Sequence, residues 1–113
     1  MVKINIYIDN LSNITKFTVK GHANYDDYGK DIVCSAVSVL AQTTILSLNE
    51  VCMINEKDLD YIIDDGYIEV NLPKNIDKIK LEKSQIVLKT FETGIRSIVE
   101  SYPKHVTLKC REV

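Results

Sequence analysis

The sequence predicts an α+β two-layer sandwich of order ββαββαβ, with two helices packed on a mostly antiparallel sheet. Three observations carry this. Two runs near the start alternate apolar and polar residues with the period of a strand and are separated by a turn. Two long stretches repeat apolar residues at helical spacing. An Asp-Gly turn, a strong hairpin signal, joins two further short runs. One layer of helices over one sheet is the simplest way to bury every apolar stripe.

The elements follow in order. Ile4, Ile6 and Ile8 alternate with Lys3, Asn5, Tyr7 and Asp9, so residues 2–9 read as a half-buried strand. Asn10-Leu-Ser-Asn13 is turn-like, and Ile14–Lys20 alternates again to complete a hairpin. A helix follows with Asp31 as its N-cap, since a carboxylate there accepts from orphan backbone N–H groups. Val33, Val37, Leu40, Ala41, Leu48 and Val51 form its stripe, and it ends near Met53 or Ile54. Asp58–Ile63 and Tyr67–Leu72 flank Asp64-Asp65-Gly66 as a second hairpin, which Pro73 stops. A second helix covers roughly Ile79–Ser101, striped by Leu81, Leu88, Phe91, Ile95, Ile98 and Tyr102. Gly94 inside it costs about 1 kcal/mol against alanine, which points to close packing on a neighbour. Pro103 ends that helix, and His105–Cys110 is a last strand.

Composition bounds the function. A chain of 113 residues holds one domain with a real core, so residues 1–113 are expected to form a single domain. A net charge of −2 lacks the clustered basic excess of a nucleic-acid footprint, so no direct nucleic-acid partner is expected. No run approaches the roughly 18 consecutive apolar residues of a membrane span, and none is expected at a membrane. The start alternates like a strand and lacks a signal-peptide core. Three cysteines at unclustered spacing make a poor disulfide framework, so the expected setting is cytoplasmic with reduced thiols.

The chemistry concentrates in Gly21–Ser38, GHANYDDYGKDIVCSAVS. It places His22 just after a strand and Cys34 in the first turn of a helix. An isolated thiol titrates near pH 8.5, and bringing one to half-ionisation at neutral pH asks for about 2 kcal/mol. An exposed helix N-terminus supplies about 0.3–1 kcal/mol. A protonated imidazole beside the thiolate makes up the rest, and His22 is the candidate. Backbone N–H groups around Cys34 and Ser35 are candidate oxyanion donors. Ser38, one turn on, shares the face of Cys34. Against this stands a plainer reading, in which Cys34 is a small core residue and His22 an ordinary strand-end histidine.

Gly21-His22-Ala23 and Gly29-x-Asp31-Ile32-Val33-Cys34-Ser35-Ala36-Val37-Ser38 closely resemble the signature of the ribosomal-processing cysteine protease family, often called Prp. Gly66-Tyr67, Leu72-Pro73, Gly94-Ile95 and Tyr102-Pro103 fall where that family has similar pairs, so the resemblance covers nearly the whole chain. Ser35 stands where an alanine is also common. The resemblance implies a cytoplasmic bacterial endopeptidase, as in the Firmicutes. Its substrate would be the short N-terminal extension of a large-subunit ribosomal protein, removed by cutting after an aromatic residue. It implies Cys34 as nucleophile, His22 as base, supporting roles for Gly21, Gly29, Asp31 and Ser38, and a homodimer. Asp31 is also fully explained as a cap.

The loop Ala23–Lys30 interleaves Tyr25 and Tyr28 with Asn24, Asp26 and Asp27. It reads either as a solvated surface loop or as a lid hinged on glycines, with Asp26 and Asp27 attracting a basic substrate. No cofactor or metal is expected: His22, Cys34, Cys52, His105 and Cys110 lack paired zinc spacing, and Gly21 and Gly29 lack the GK[ST] of a phosphate loop. Cys52 and Cys110 read as core or incidental, and Asp64 and Asp65 as turn residues. The rival function is a non-catalytic ribosome-assembly or peptide-binding module with a structural or redox-sensing Cys34.

Overall fold

A computed structural model describes residues 1–21 and 30–113, without the side chains of Lys30 and Asp31. The elements run β1 (Val2–Ile8), β2 (Ile14–Lys20), α1 (Lys30–Glu50), a 3₁₀ turn (Glu56–Asp58), β3 (Asp60–Asp64), β4 (Tyr67–Asn71), α2 (Lys78–Ser101) and β5 (Val106–Glu112). The predicted order ββαββαβ and the two-helix layer are both present. The five strands lie in the order β3-β4-β2-β1-β5. All neighbours are antiparallel except β1 and β5, which run parallel.

Strand alternation divides the sheet cleanly. Ile4, Phe17 and Val70 are successive or diagonal partners on the inner face and are buried, as are Ile6, Val19 and Ile68. The outer face carries Lys16, whose ammonium sits 5.2 Å from the Tyr7 ring centroid and 3.6 Å from the Glu69 carboxylate. The first turn is held by Asp9, whose carboxylate accepts from the N–H groups of Leu11 and Asn13 at 2.9 Å each. A register shift between Tyr7 and Ile8 skips Thr15 and brings Ile14 opposite Ile8 at the irregular end of the hairpin. The buried Gln85 of α2 answers it, accepting from Ile14 N–H at 2.7 Å and donating to Ile14 C=O at 2.8 Å.

The two helices pack on the inner face and on each other. Phe17 and Phe91 stack with ring centroids 4.1 Å apart, joining the sheet to α2. Gly94 permits close contact with α1: a Cβ there would stand 2.6 Å from Leu40 Cδ2. The expected reason for that glycine is therefore the observed one. Asp77 caps α2 by accepting from Lys80 N–H at 2.9 Å.

Several expectations need correction. Lys30 is already helical, so Asp31 lies inside the first turn and is not the N-cap. The helix stops at Glu50, before Met53, because Val51 and Cys52 both bond back to Ser47 C=O and Met53 takes a left-handed φ of 60°. Val51 is consequently exposed, while Cys52 and Ile54 turn into the core. Tyr102 is exposed at the C-cap of α2 rather than part of its stripe. Ile32–Glu50 is long and apolar enough, by length and composition alone, to cross a membrane. Its Val33, Val37, Ala41, Ile45 and Leu48 instead form the roof of the core.

Gly21 ends β2 at φ +118°, a conformation that side-chain-bearing residues rarely adopt, and a Cβ there would overlap the carbonyl oxygen of Met1. Gly21→Ala is expected to cost about 2–3 kcal/mol, measured by urea unfolding. On the outer face, Tyr67 donates to Glu69 at 2.6 Å, and this bond pushes the phenol up to about 12 and holds the Glu69 carboxyl below its ordinary value. The phenol's contribution to stability is present below its unfolded value near 10 and is lost as pH rises toward 12. Glu69→Gln removes the charge, so Tyr67 is expected to titrate closer to 10 by ultraviolet absorbance.

Candidate active site

Cys34, Val37 and Ser38 stand one helical turn apart on α1 and face the end of the sheet where β1 begins, β2 ends and β3 turns into β4. Together with Val2, Val19, Gly21 and the hairpin residues 64–68, they line a cavity of about 190 Å³. Cys34 is half-buried there and packs against the core cluster. Val2, Val19, Val37 and Ile68 give the cavity buried apolar walls, and Asp64, Asp65 and Gly66 bring a polar rim.

Backbone contacts fix this arrangement. Gly21 N–H donates to Gly66 C=O at 3.0 Å, which ties the end of β2 to the turn of the second hairpin. Val2 N–H donates to His105 C=O at 2.9 Å, which anchors the start of β1. The turn itself is closed by Asp64, whose carboxylate accepts from Asp65 N–H at 2.8 Å, and by Gly66 at φ +73°. Asp64 and Asp65 thus serve the turn as expected and also form part of the cavity.

The predicted site residues separate. Gly21, Cys34 and Ser38 converge on one cavity. Ser38 Oγ accepts from Gln42 Nε2 at 2.8 Å, so its hydroxyl is already oriented along the helix. Ser35 is exposed and lines a different surface, the groove between α1 and α2 with Ala36, Val39, Leu40 and Gly94. A residue one position from Cys34 is turned about 100° around the helix, which carries Ser35 away from the thiol. His22, Gly29, the loop residues Tyr25, Asp26, Asp27 and Tyr28, and the Asp31 side chain lie outside the described residues.

The oxyanion expectation also changes. With Lys30 helical, the N–H groups of Cys34 and Ser35 fall within the i→i−4 ladder and are engaged by the helix. Cys34 sits beyond the first turn of α1, where the helix field has already fallen off. More of the activation of a thiol at this position must therefore come from a neighbouring base or cation.

Sequence reasoning did not place Val2, Val19, Asp64, Asp65 or Ile68 at the site. The signal lay in topology: the start of one strand, the end of the next and a hairpin turn all meet at one sheet end. Cys52 is buried, and that burial pushes its thiol up, which fits a structural residue. Cys110 is exposed at the end of β5, with Arg96 and Leu108 in a separate groove. Among the described residues, no three His, Cys, Asp or Glu side chains are grouped to hold a metal ion.

Comparison with known proteins covers the same span. The chain is similar to the ribosomal processing cysteine protease Prp of Staphylococcus aureus, 23% identical over 109 residues, covering 96% of this chain and 97% of that one. It is 26% identical over 104 residues to the Prp protein of Bacillus subtilis, covering 90% of each chain. The crystal structure of S. aureus Prp in complex with a substrate peptide matches with a TM-score of 0.81 at 21% identity, covering 98% of this chain and 100% of that chain. The structure of SMU.848 from Streptococcus mutans matches with a TM-score of 0.79 at 27% identity, covering 100% of this chain and 96% of that chain. The family model for the cysteine protease Prp matches residues 1–107, and the chain belongs to that family.

Proposed function

We propose that this chain is a single-domain, cytoplasmic cysteine endopeptidase that removes the N-terminal extension of a large-subunit ribosomal protein. Cys34 is the nucleophile and His22 the general base and acid. The observation that carries this reading is the convergence of Gly21, Cys34 and Ser38, three signature positions, on one cavity in a chain of the cysteine protease Prp family. The curated relatives in S. aureus and B. subtilis are named for ribosomal processing, which supports the substrate class.

The chemistry runs in two halves. His22 takes the Cys34 proton, and the thiolate sulfur bonds to the scissile carbonyl carbon. The tetrahedral adduct collapses as protonated His22 gives its proton to the leaving amine, releasing the mature ribosomal protein. The extension stays as a thioester on Cys34. Water, deprotonated by His22, then attacks the thioester; the extension leaves as a carboxylic acid and the thiol is restored. The apolar walls Val2, Val19, Val37 and Ile68 suit the aromatic residue that the family resemblance places before the cut. Gly21, Gly29, Asp31 and Ser38 match signature positions and are assigned supporting roles in this reading.

The chain acts as a homodimer in this reading. Ile32, Val39 and Leu46, spaced seven apart on α1, are 57%, 65% and 58% exposed and form one stripe. Val39→Glu on that stripe is expected to shift the chain to a monomer in sedimentation equilibrium, with its circular dichroism unchanged. A wild-type chain that sediments as a monomer would remove the dimer.

Incubation of the wild-type chain with the ribosomal precursor from the same source, followed by mass analysis, is expected to show one cut that frees the extension. Cys34→Ala should abolish the cut, a loss of at least ~1000-fold, with unfolding free energy within ~1 kcal/mol of wild type. His22→Ala should slow alkylation of Cys34 by iodoacetamide at neutral pH by ~10-fold or more. A Cys34→Ala chain that still cuts would overturn the assignment. Precursor binding without any cut by the wild-type chain would favour the non-catalytic module instead.

A further inference from the structure

Strand order leaves β3 at an edge of the sheet, and among the described residues no strand pairs with its outer side. Four of its five residues are exposed. Ile62 and Ile63 point to opposite faces and are 44% and 47% exposed, so the edge is flanked by apolar surface above and below. Natural edges carry devices that stop them pairing; an exposed edge with apolar residues on both faces is a template for another strand. The hydrogen-bonding pattern can be counted back from the closing pair of the hairpin, Asp64 with Tyr67. Alternation gives Ile62 and Asp60 to the β4 ladder and turns the N–H and C=O of Tyr61 and Ile63 outward.

Charge selects the partner. Asp58, Asp60, Asp64 and Asp65 lie on or beside this short strand, in a chain whose net charge is only −2. Like charges along the edge oppose pairing with a second copy of the same strand, and they favour a basic one. The edge is also continuous with the site, since Asp64 and Asp65 at its end are part of the wall of the Cys34 cavity.

We propose that the outer edge of β3 is the docking rail for the substrate: an extended segment rich in Lys and Arg adds to β3 as a strand and leads the scissile bond across the Asp64–Gly66 turn into the Cys34 cavity. The inference rests on the proteolytic reading above and deepens it. Backbone bonds to Tyr61 and Ile63 supply affinity without demanding a particular sequence, as in other strand additions. A protein that binds ribosomal RNA must carry phosphate-neutralising Lys and Arg, so a large-subunit ribosomal protein offers the required charge. At about 3.3 Å per residue, β3 spans roughly 17 Å, enough to hold four or five substrate residues beside the cut.

The test uses the full chain and two substrates: the ribosomal precursor, and a blocked Phe-coumarin amide too short to reach β3. Ile63→Pro removes an outward N–H and no β4 ladder bond. It should raise KM for the precursor ~10-fold or more, with kcat within twofold and the coumarin amide turned over as by wild type. Asp58→Asn/Asp60→Asn leaves the backbone intact and should flatten the rise of precursor KM with salt. Precursor peptides N-methylated at alternate residues, cut by the wild-type chain, give the same answer without any variant: one register should lose ~10-fold in kcat/KM and the other little. A rise of precursor KM with salt as steep in Asp58→Asn/Asp60→Asn as in wild type, together with register-independent cutting of the N-methylated peptides, overturns the docking rail. Binding of the precursor to Cys34→Ala, read by fluorescence anisotropy, separates the two proposals. A rail that binds without any cut by wild type leaves docking standing and removes the protease; a cut indifferent to every β3 change does the reverse.

Discussion

The site depends on one close approach. At Gly21 the chain leaves β2 with a backbone conformation that a Cβ would strain, and it passes so near the Met1 carbonyl that a Cβ would have no room. From that position Gly21 N–H reaches the Gly66 carbonyl. Three separate stretches of sequence, the first residues, the end of the first hairpin and the turn of the second, are thereby drawn to one end of the sheet. The cavity beside Cys34 is the space that this convergence leaves under α1. Any bulkier residue at Gly21 would push the start of β1 away and open the wall formed by Val2.

The height and angle of α1 over that space are set from the other side. Phe17 and Phe91 clamp α2 to the middle of the sheet, and Gln85 pins it to the irregular backbone at Ile14. Gly94 then lets Leu40 of α1 come close to α2. The position of Cys34 is thus the end of a chain of contacts: sheet to α2, α2 to α1, α1 to cavity. None of these contacts touches the site, yet each is needed for the thiol to face the strand ends rather than the solvent.

Much of this was legible in the sequence because local signals agreed with the tertiary outcome. Alternation over 2–9 and 14–20, the Asp-Gly turn and the two helical stripes each gave the right element, and Gly94 was rightly read as a packing glycine. The misreadings share a cause. Asp31 as N-cap and a helix running on to Met53 followed residue preference, but the observed ends were set by Lys30 being helical and by Met53 turning left-handed. Val51 and Tyr102 continued a period that the backbone had already left. Ser35 matched a signature yet faces the groove between helices. The cavity walls Val2, Val19 and Ile68 were read only as strand residues, since which strand ends meet is a property of sheet order, and no local pattern encodes it.

The revised helix start also sharpens the chemical requirement. Engaged N–H groups and a position beyond the first turn leave Cys34 with little help from α1 itself. A carboxylate is a far weaker base than an imidazole, so general acid–base chemistry favours an imidazole as the group that deprotonates a thiol. In the proposed reading, Asp64 and Asp65 at the cavity act through their field on a cationic substrate. The labour divides in that reading, with acids for attraction and the His22 imidazole for proton transfer, and the acidic turn serves recognition rather than catalysis.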